Sequence, residues 1–267
     1  VSRGLGDVYK RQGVVMSLNL EVNLGGLVMP NPVTDASGTF AAGREYSDFV
    51  DVSRMGAVTT KGVSLNGWEG NDSPRIAETP SGMLNSIGLQ NPGVRHFIEY
   101  ELPGMKKLGP AVLANLGGST IETYEEGARL LDETNVDFIE LNISCPNVKA
   151  GGIAYGVKAE SAREVVSRVR ACTKKPLIVK LSPNAENITE MALACEAAGA
   201  DGLSLVNTFQ AMAIDLEKRR PVFNNVFAGL SGPAIRPIAL RMVYQVCRAV
   251  QAVSYTHLRA HETLSDL

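Results

Sequence analysis

The amino-acid sequence predicts an α/β protein built on a parallel sheet, and it favours a (β/α)8 TIM barrel over an open sheet. Short apolar runs alternate with longer amphipathic stretches from Met16 to Ala252, and polar residues cluster directly after most of the runs. Continuous apolar runs are typical of parallel strands that are covered on both faces. Polar residues after many successive strands indicate a barrel rim, because an open sheet concentrates its site at one switch point.

The strand candidates are six short runs: Val33–Ala36, Ala57–Thr60, Ala111–Asn115, Phe138–Ile143, Leu177–Leu181 and Gly202–Asn207. The helix candidates are Thr120–Asp132, Glu160–Cys172, Asn187–Ala198 and Ile235–Val250. Gly199 directly follows the third helix and is a natural helix stop. Pro233 and Pro237 flank the start of the fourth, where proline is tolerated in a first turn. Because eight strands close a barrel, six candidates predict that the last two βα units are missing.

The two ends of the chain show no usable hydrophobic period and resemble translated adapter read-through. We therefore expect a non-native or disordered leader at 1–12, an incomplete barrel domain at 13–252 and a non-native tail at 253–267. His257 and His261 have a spacing that would place two ligands on one helix face. They lack a carboxylate partner and lie in the suspect tail, so we predict no metal site.

Composition excludes several classes of function. The chain has 267 residues, 45% of them hydrophobic, and a formal net charge of −2, which gives no electrostatic reason to expect nucleic acid or an anionic membrane as partner. No apolar run approaches the roughly 20 residues that span a bilayer, and the first residues lack the basic-then-apolar layout of a secretory signal. The cysteines (Cys145, Cys172, Cys195 and Cys247) form no C-x-x-C pair, so neither a zinc site nor a disulfide framework is indicated. These features predict a cytoplasmic protein.

The most informative segment is FIELNISCPNVKAGGIAYG, residues 138–156. An apolar strand here delivers Asn142 and then Cys145 to the predicted rim, and Pro146 stiffens the loop. A thiolate in this place can act as a general base, and the amides of Asn142 and Asn147 suit a planar ligand with alternating N–H and C=O groups. The alternative is a buried, inert cysteine, which is commoner for a cysteine chosen at random.

The chain resembles the dihydroorotate dehydrogenase family over nearly all of Leu18 to Gln251. The segments that carry the resemblance are NPVTDASGTF (31–40), TTKGVSLNGWEGNDSPRIAETPSGMLNSIGLQNPG (59–93), ANLGGS (114–119), ELNISCPNVKAGGIAYG (140–156), VKLSPN (179–184), LVNTFQAMAID (205–215) and AGLSGPAIRPIAL (228–240). Each would be a weak signal alone, but together, in this order and spacing, they are very specific.

The resemblance implies an FMN-dependent barrel that oxidises (S)-dihydroorotate to orotate in de novo pyrimidine (UMP) biosynthesis. The implied FMN-binding residues are Ala36, Ser37, Gly38, Thr60, Lys61, Asn115, Asn142, Lys180, Val206 and Gly232. Lys180 would lie near the pyrimidine end of the flavin, where negative charge develops. It stands inside the apolar run LIVKLS, where an unpaired ammonium would be costly, so a surface lysine is a poor alternative.

The resemblance also implies a substrate site and a base. The implied substrate-binding residues are Lys61, Met83, Asn85, Gly88, Leu89, Asn142, Asn147, Asn207 and Thr208. Lys61 would neutralise the orotate carboxylate, and the loop from Met83 to Leu89 would press over the substrate. Cys145 would be the catalytic residue, removing the C5 proton while the C6 hydride passes to flavin N5.

The segments after the Cys motif and around 70–85 resemble the NAD-linked form of the family more than the fumarate-reducing form. The NAD-linked form pairs its FMN subunit with an electron-transfer subunit that carries FAD and a 2Fe–2S cluster, so we expect a homodimer assembled into a heterotetramer. The lack of a cysteine cluster fits this division, because a cluster needs about four thiolates.

The resemblance also bears on FMN affinity. The family's main FMN-phosphate anchor follows strands seven and eight, which are the strands predicted to be missing. We therefore expect weak FMN binding and an exposed barrel edge.

Three alternatives stay open at this point. One is a dihydropyrimidine dehydrogenase-like barrel that reduces uracil with the same flavin site, although Asn147 favours orotate. Another is a non-redox phosphate-binding barrel, which flavin absorbance would eliminate. The third is an inactive fragment of such an enzyme.

Overall fold

A computed structural model describes residues 19–144, 152–251 and 253–256. Its strands are β1 (Val22–Leu24), β2 (Leu27–Met29), β3 (Ala57–Thr59), β4 (Ile76–Thr79), β5 (Gly82–Asn85), β6 (Ala111–Leu116), β7 (Phe138–Asn142), β8 (Leu177–Lys180), β9 (Gly202–Leu205), β10 (Phe209–Met212), β11 (Ile214–Asp215), β12 (Arg220–Pro221), β13 (Phe227–Ser231) and β14 (Val253–Thr256). Its α-helices are α1 (Val94–His96), α2 (Leu102–Leu108), α3 (Ile121–Asp132), α4 (Gly152–Val157), α5 (Ala159–Arg170), α6 (Ile188–Ala197) and α7 (Arg236–Ala249). A π-helical stretch, Phe97–Glu101, joins α1 to α2.

The central element is a six-stranded parallel sheet in the order β14-β9-β8-β7-β6-β3. The strands stand in chain order, so each strand lies beside its successor and the described sheet contains no switch point. Five predicted strands are confirmed as β3, β6, β7, β8 and β9, with ends that differ by at most two residues. β14 lies inside the segment 253–267 that the sequence analysis set apart, and it pairs with β9.

The predicted strand Val33–Ala36 is wrong as a strand, because it keeps only one parallel bridge, from Thr34 to Ala57. The reason lies in Asp35. Its side-chain Oδ1 accepts the backbone N–H of Thr59 at 2.6 Å, so a side chain replaces the backbone acceptor that a ladder would supply. The segment is still held beside β3, and it carries Ala36 and Ser37 to the end of that strand.

The four predicted helices are confirmed as α3, α5, α6 and α7. Thr120 caps α3 through a reciprocal pair of hydrogen bonds with Thr123. The Asn187 side chain caps α6 by accepting two backbone N–H groups, and the turn after α6 ends at Gly199, whose φ is 98°. Each cap satisfies backbone groups that would otherwise lack partners at a helix end.

The helices cover the sheet with apolar faces. α5 buries Ala162, Val165, Val166 and Val169, and it packs between α3 and α6. Complete burial of each valine stabilises the fold by about 1.5 to 3 kcal/mol relative to exposure. The β1–β2 hairpin packs Leu24 and Met29 against residues at or beside the strand starts: Ala57, Leu113, Phe138 and Ile178. The core is therefore closed at the amino ends of the strands.

A second sheet, which the sequence analysis did not predict, is antiparallel and has the order β10-β13-β5-β4. Its strands are short and partly exposed; β4 alternates exposed and half-buried residues. It carries Met83 and Asn85 on β5, so it positions part of the predicted substrate loop.

Gly56, just before β3, allows the chain around Asn31 to approach closely. A β-carbon at Gly56 would lie 2.0 Å from the carbonyl oxygen of Asn31, and the Gly56 N–H donates to the carbonyl of Val33 at 2.9 Å. We expect Gly56→Ala to lower the free energy of unfolding by about 2 kcal/mol or more, because backbone must move. Urea unfolding followed by circular dichroism measures the change.

Gly104→Ala is the matched control, because Gly104 lies within α2 and a β-carbon there meets nothing within 4 Å. It should be neutral or stabilising by about 0.5 to 1 kcal/mol, since alanine is the better helix former. Equal effects of the two substitutions would contradict the close approach at Gly56.

Candidate functional site

The predicted site residues on the parallel sheet lie at the carboxyl ends of its strands, which share one edge. They follow β3 (Thr60 and Lys61), lie near the end of β6 (Asn115), end β7 (Asn142), end β8 (Lys180) and follow β9 (Val206, Asn207 and Thr208). The structure therefore brings together residues separated by up to about 150 positions in the chain.

Two amide side chains at the ends of β6 and β7 are fixed by hydrogen bonds. The Asn115 side chain donates to Glu140 Oε2 at 2.5 Å, and Asn142 donates to Asn115 Oδ1 at 3.2 Å. The backbone N–H of Asn115 donates to Thr60 Oγ1 at 2.9 Å. A β-carbon at Gly62 would lie 2.7 Å from Asn115 Oδ1, so glycine leaves room for this amide. Both amides are held in a defined orientation.

The hydrogen bonds continue from β7 towards β9. Ser144 Oγ donates to Asn142 Oδ1 at 2.9 Å, and the Asn207 amide donates to Ser144 Oγ at 3.0 Å. The backbone N–H of Thr208 then donates to Asn207 Oδ1 at 2.7 Å. These contacts connect the residue just before Cys145 to three predicted substrate-binding residues.

Two oppositely charged side chains are buried at this edge. Lys180 is 2% exposed, and its Nζ donates to Ser37 Oγ at 2.9 Å. Glu140 is completely buried, and its Oε1 accepts a hydrogen bond from Ser204 at 2.7 Å. Burying a charge is costly unless it is paired and hydrogen-bonded, so this cluster is an expensive feature of the fold.

Asp35 adds a third carboxyl group to the cluster. Its Oδ1 accepts the Thr59 N–H, whereas its Oδ2 is sealed from solvent and has no hydrogen-bond partner among the described residues. The pKa of Asp35 is raised to about 7, mainly by burial and also by Glu140; the Thr59 N–H and the Lys180 ammonium act in the opposite direction. Asp35 therefore titrates close to neutral pH.

Lys61 lies against the turn that contains the predicted flavin contacts. A β-carbon at Gly38, whose φ is 79°, would lie 3.2 Å from Lys61 Nζ. The carbonyl of buried Ala36 accepts two hydrogen bonds from Thr39, which turns the chain at this point. A larger side chain at position 38 would be strained and would crowd the ammonium.

The antiparallel sheet brings a second group of predicted residues to the site. The Asn85 side chain donates to the carbonyl of Gly229 at 3.4 Å, and Met83 pairs with Ser231 across β5 and β13. Gly232 has a φ of 106°, and a β-carbon there would lie 2.7 Å from Gly82 Cα. Glycine is therefore required where these chains meet.

The loop after β5 is shaped by Gly88 and Leu89, which both have positive φ, 76° and 57°. A β-carbon at Gly88 would lie 2.5 Å from the Asn71 side chain, so this turn is tightly enclosed. The Leu89 side chain occupies the space over Gly62 and Gly117, where added β-carbons would approach it to 2.8 Å. Leu89 thus lies beside the fixed amide of Asn115.

A cavity of about 640 Å³ adjoins Leu89, but Lys61, Asn142 and Lys180 do not line it. Its wall consists of Ser64, Leu65, Asn66, Gly67, Trp68, Gly70, Asn71, Asp72, Ser86, Leu89, Gly118, Ser119, Thr123, Asn224 and Asn225. We assign the candidate site to the strand ends and not to this cavity, because the buried charges and fixed amides lie there.

Cys145 and Asn147 lie outside the described residues. Among the cysteines that the structure describes, Cys195 is completely buried, and burial raises its pKa to about 12, which makes it inert as a base. Val206 is buried, and its peptide bond with Leu205 is cis.

The sequence analysis missed four polar residues at the site: Asp35, Glu140, Ser144 as a bridging group, and Ser204. A signal for Glu140 was available, because it stands in the apolar run FIELN just as Lys180 stands in LIVKLS. A charge inside a buried strand must find a partner, and the two charges could have been considered together. Asp35 carried no such signal, since its position looked like the end of a strand.

Within residues 19–144, 152–251 and 253–256, no cluster of three or more His, Cys, Asp or Glu side chains could hold a metal ion. No helix in the same ranges is long and apolar enough to cross a membrane.

The fold and site define an α/β protein with strands in chain order and a polar, charge-bearing site at their carboxyl ends. The sequence profile named "Dihydroorotate dehydrogenase" matches residues 19–254. The chain belongs to the dihydroorotate dehydrogenase family.

The chain is similar to several proteins named "Dihydroorotate dehydrogenase B (NAD(+)), catalytic subunit". It is 53% identical to the protein from Alkaliphilus metalliredigens over an alignment of 233 residues. This alignment covers 87% of this chain and 77% of the relative. It is 55% identical to the protein from Petrotoga mobilis, and the alignment covers 87% of this chain and 78% of that relative. It is 54% identical to the protein from Bacteroides thetaiotaomicron, and the alignment covers 87% of this chain and 77% of that relative.

The raised pKa of Asp35 predicts a pH-dependent stability. The carboxyl has a pKa of about 7 in the folded chain and an ordinary value of 3.8, so the folded state binds the extra proton between these values. Its contribution to stability is fully present below about pH 4 and is lost as the pH rises through about 7. Asp35→Asn avoids this pH-dependent loss of stability, because asparagine does not ionise. We expect the free energy of unfolding of the variant to rise relative to the parent's, by a few kcal/mol across this window, because one pKa unit corresponds to about 1.4 kcal/mol.

Urea unfolding of both proteins at several pH values measures the difference. Asp215→Asn is the control, because hydrogen bonds from Lys218 lower the pKa of partly exposed Asp215, so its difference from the parent should change only below about pH 4 and stay flat between about pH 4 and 7. A flat difference for Asp35→Asn between about pH 4 and 7 would show that the buried carboxyl does not titrate there.

Proposed function

We propose that this chain is an FMN-dependent dihydroorotate dehydrogenase that oxidises (S)-dihydroorotate to orotate in the synthesis of UMP. The observation that carries the proposal is the contact between Lys180 and Ser37, which joins two implied flavin residues far apart in the chain. Family membership supplies the reaction, and this contact supplies a place for it. We further propose that the parallel sheet is part of the wall of a (β/α)8 barrel, because its strands stand in chain order.

The residues at the strand ends fit FMN. The turn 36–38 presents small side chains to a flat ring system, and the fixed amides of Asn115 and Asn142 offer hydrogen bonds to its edge. Lys180 would hold the pyrimidine end, and Thr60, Val206 and Gly232 complete the proposed contacts. When bound, FMN supplies the acceptor for the hydride that leaves C6 of dihydroorotate.

The substrate would lie between this surface and the loop Met83–Leu89. Lys61 neutralises the carboxylate of the substrate. The amides of Asn85, Asn142, Asn147 and Asn207 and the hydroxyl of Thr208 match the alternating donors and acceptors of the pyrimidine ring. Gly88 and Leu89, in the loop that would lie over the substrate, exclude water from the substrate site.

Cys145 removes the proton from C5 of the substrate. Its thiolate would stand directly after Ser144, whose hydroxyl contacts both Asn142 and Asn207. The base and the ring-binding amides would therefore share one rigid support, which keeps the base oriented towards the substrate.

The names of the relatives contain NAD(+) and "catalytic subunit". For this chain we propose NAD as the final electron acceptor, reached through a separate subunit that carries FAD and a 2Fe–2S cluster. If Cys145 is the base, three of the four cysteines remain, fewer than the roughly four thiolates that a cluster needs. A homodimer within a heterotetramer, located in the cytoplasm, completes the proposal.

Cys145→Ser tests the assignment of the base. With saturating FMN, we expect dihydroorotate oxidation near neutral pH to fall by about 100-fold or more and to recover partly at high pH, because a hydroxyl is a much weaker base. Orotate formation measured from about pH 6 to pH 10 gives the profile. Cys247→Ser, at an exposed cysteine, should behave like the parent. An unaltered rate in Cys145→Ser would remove this residue from the mechanism.

Lys61→Gln tests the carboxylate contact. Loss of a charge-assisted hydrogen bond costs about 1.5 to 3 kcal/mol, so we expect the KM for dihydroorotate to rise about 10- to 100-fold with a smaller change in kcat. Steady-state kinetics with saturating FMN separate the two constants. Lys218→Gln removes an exposed lysine that pairs with Asp215, and it should leave both constants unchanged. A parental KM in Lys61→Gln would place the carboxylate elsewhere.

A further inference from the structure

The Asp35 carboxyl is a buried titratable group at the strand ends to which the proposed reaction gives no task. It precedes the implied flavin contacts Ala36 and Ser37 in the chain. The residue as a whole is partly exposed, but Oδ2 is sealed from solvent and has no hydrogen-bond partner in the described part of the chain. A carboxyl oxygen left in this way is costly when ionised, so its retention calls for an explanation.

Three secondary-structure elements surround this carboxyl. β3 supplies the Thr59 N–H to Oδ1, while Glu140 on β7 and Lys180 on β8 are the charged groups that act on it. Glu140 favours the neutral acid, whereas Lys180 favours the carboxylate. Charges in such a poorly hydrated place interact more strongly than they would in water.

The same Lys180 ammonium reaches the proposed flavin surface. Its Nζ donates to Ser37 Oγ at 2.9 Å, two residues beyond Asp35, so one cation acts on the carboxyl and also contacts the proposed flavin surface. An ionised Asp35 would offset part of the positive charge of Lys180. A protonated Asp35 would leave that charge undiminished. The charge offered to the cofactor therefore depends on whether Asp35 holds a proton.

We propose that Asp35 is a proton-linked positioning residue, whose protonation decides how much of the Lys180 charge stabilises negative charge on bound FMN. The inference rests on the proposed function, because it assumes that FMN lies against Lys180 and Ser37. Asp35 touches neither substrate nor cofactor in this proposal; it acts through Lys180.

Linkage makes the effect reciprocal. If protonation of Asp35 favours the reduced cofactor, reduction must favour protonation of Asp35 to the same extent. The proton comes from solvent and forms one O–H bond on the carboxylate, and it returns to solvent when the electrons leave. Electron transfer out of the site and proton release from Asp35 are therefore coupled.

The test is the reduction potential of FMN bound to the full chain, measured by spectroelectrochemistry from about pH 5 to pH 9. We would compare the parent, Asp35→Asn and Asp137→Asn. Asparagine keeps an acceptor for the Thr59 N–H and fixes position 35 in a neutral state. Asp137→Asn is matched, because Asp137 also accepts a backbone N–H, from Val112 at 2.7 Å, but just before the start of β7.

We expect the potentials of parent and Asp35→Asn to agree at the acid end and to diverge as Asp35 ionises in the parent near pH 7. Above that pH the variant should have the higher potential, since no charge at position 35 offsets Lys180. Asp137→Asn should follow the parent throughout. Coincident curves for Asp35→Asn and the parent, or the same divergence in Asp137→Asn, would overturn the inference.

A second measurement covers the case in which Asp35→Asn does not fold. The infrared band of a buried protonated carboxyl, followed in the parent protein, should disappear near pH 7 with oxidised FMN and at a higher pH with reduced FMN. A band that is absent, or whose midpoint ignores the redox state, would overturn the inference.

The two failures can be told apart. If the parent binds FMN and forms orotate but the curves coincide, Asp35 has no such part and the proposed function stands. If the parent leaves the absorbance spectrum of added FMN unchanged and forms no orotate, the proposed function fails and this inference fails with it.

Discussion

The buried ammonium of Lys180 is the constraint on which the rest of the site depends. An ammonium that is 2% exposed is tolerated only with hydrogen bonds and opposite charge nearby. Ser37 supplies a hydrogen bond, and the carboxyls of Asp35 and Glu140 lie close by. Because these residues come from different parts of the chain, the need to satisfy one cation ties the 35–38 segment to β7 and β8.

Glu140 extends this arrangement across the sheet. It accepts hydrogen bonds from Asn115 on β6 and Ser204 on β9, so one buried carboxyl on β7 orients side chains on the adjacent strand to one side and two strands away on the other. A polar network of this kind stabilises one arrangement only when its members are satisfied. The amides that would meet the flavin and the pyrimidine are thus oriented before any ligand binds, which lowers the entropic cost of binding.

The match between sequence and structure differs between the two sheets. β6 to β9 and helices α3, α5 and α6 were predictable within two residues, because buried parallel strands are continuously apolar and amphipathic helices have caps. The antiparallel sheet that carries Met83 and Asn85 escaped prediction. Its strands are short and half-exposed, and its central pairing, between β5 and β13, joins residues about 150 positions apart, which no local pattern records.

The sequence by itself determined the fold class, the family and the identity of most candidate site residues, because apolar periodicity and ordered motifs are written locally. Only the tertiary structure decided which polar residues meet. It showed that the Asp35 side chain accepts a hydrogen bond from the Thr59 backbone and that Asp35 is not a strand residue. It also showed that Glu140 accepts a hydrogen bond from Asn115 and that Lys180 donates one to Ser37. The physical reason is that a hydrogen bond or charge pair depends on distances of about 3 Å between atoms remote in sequence, and only chain packing sets those distances.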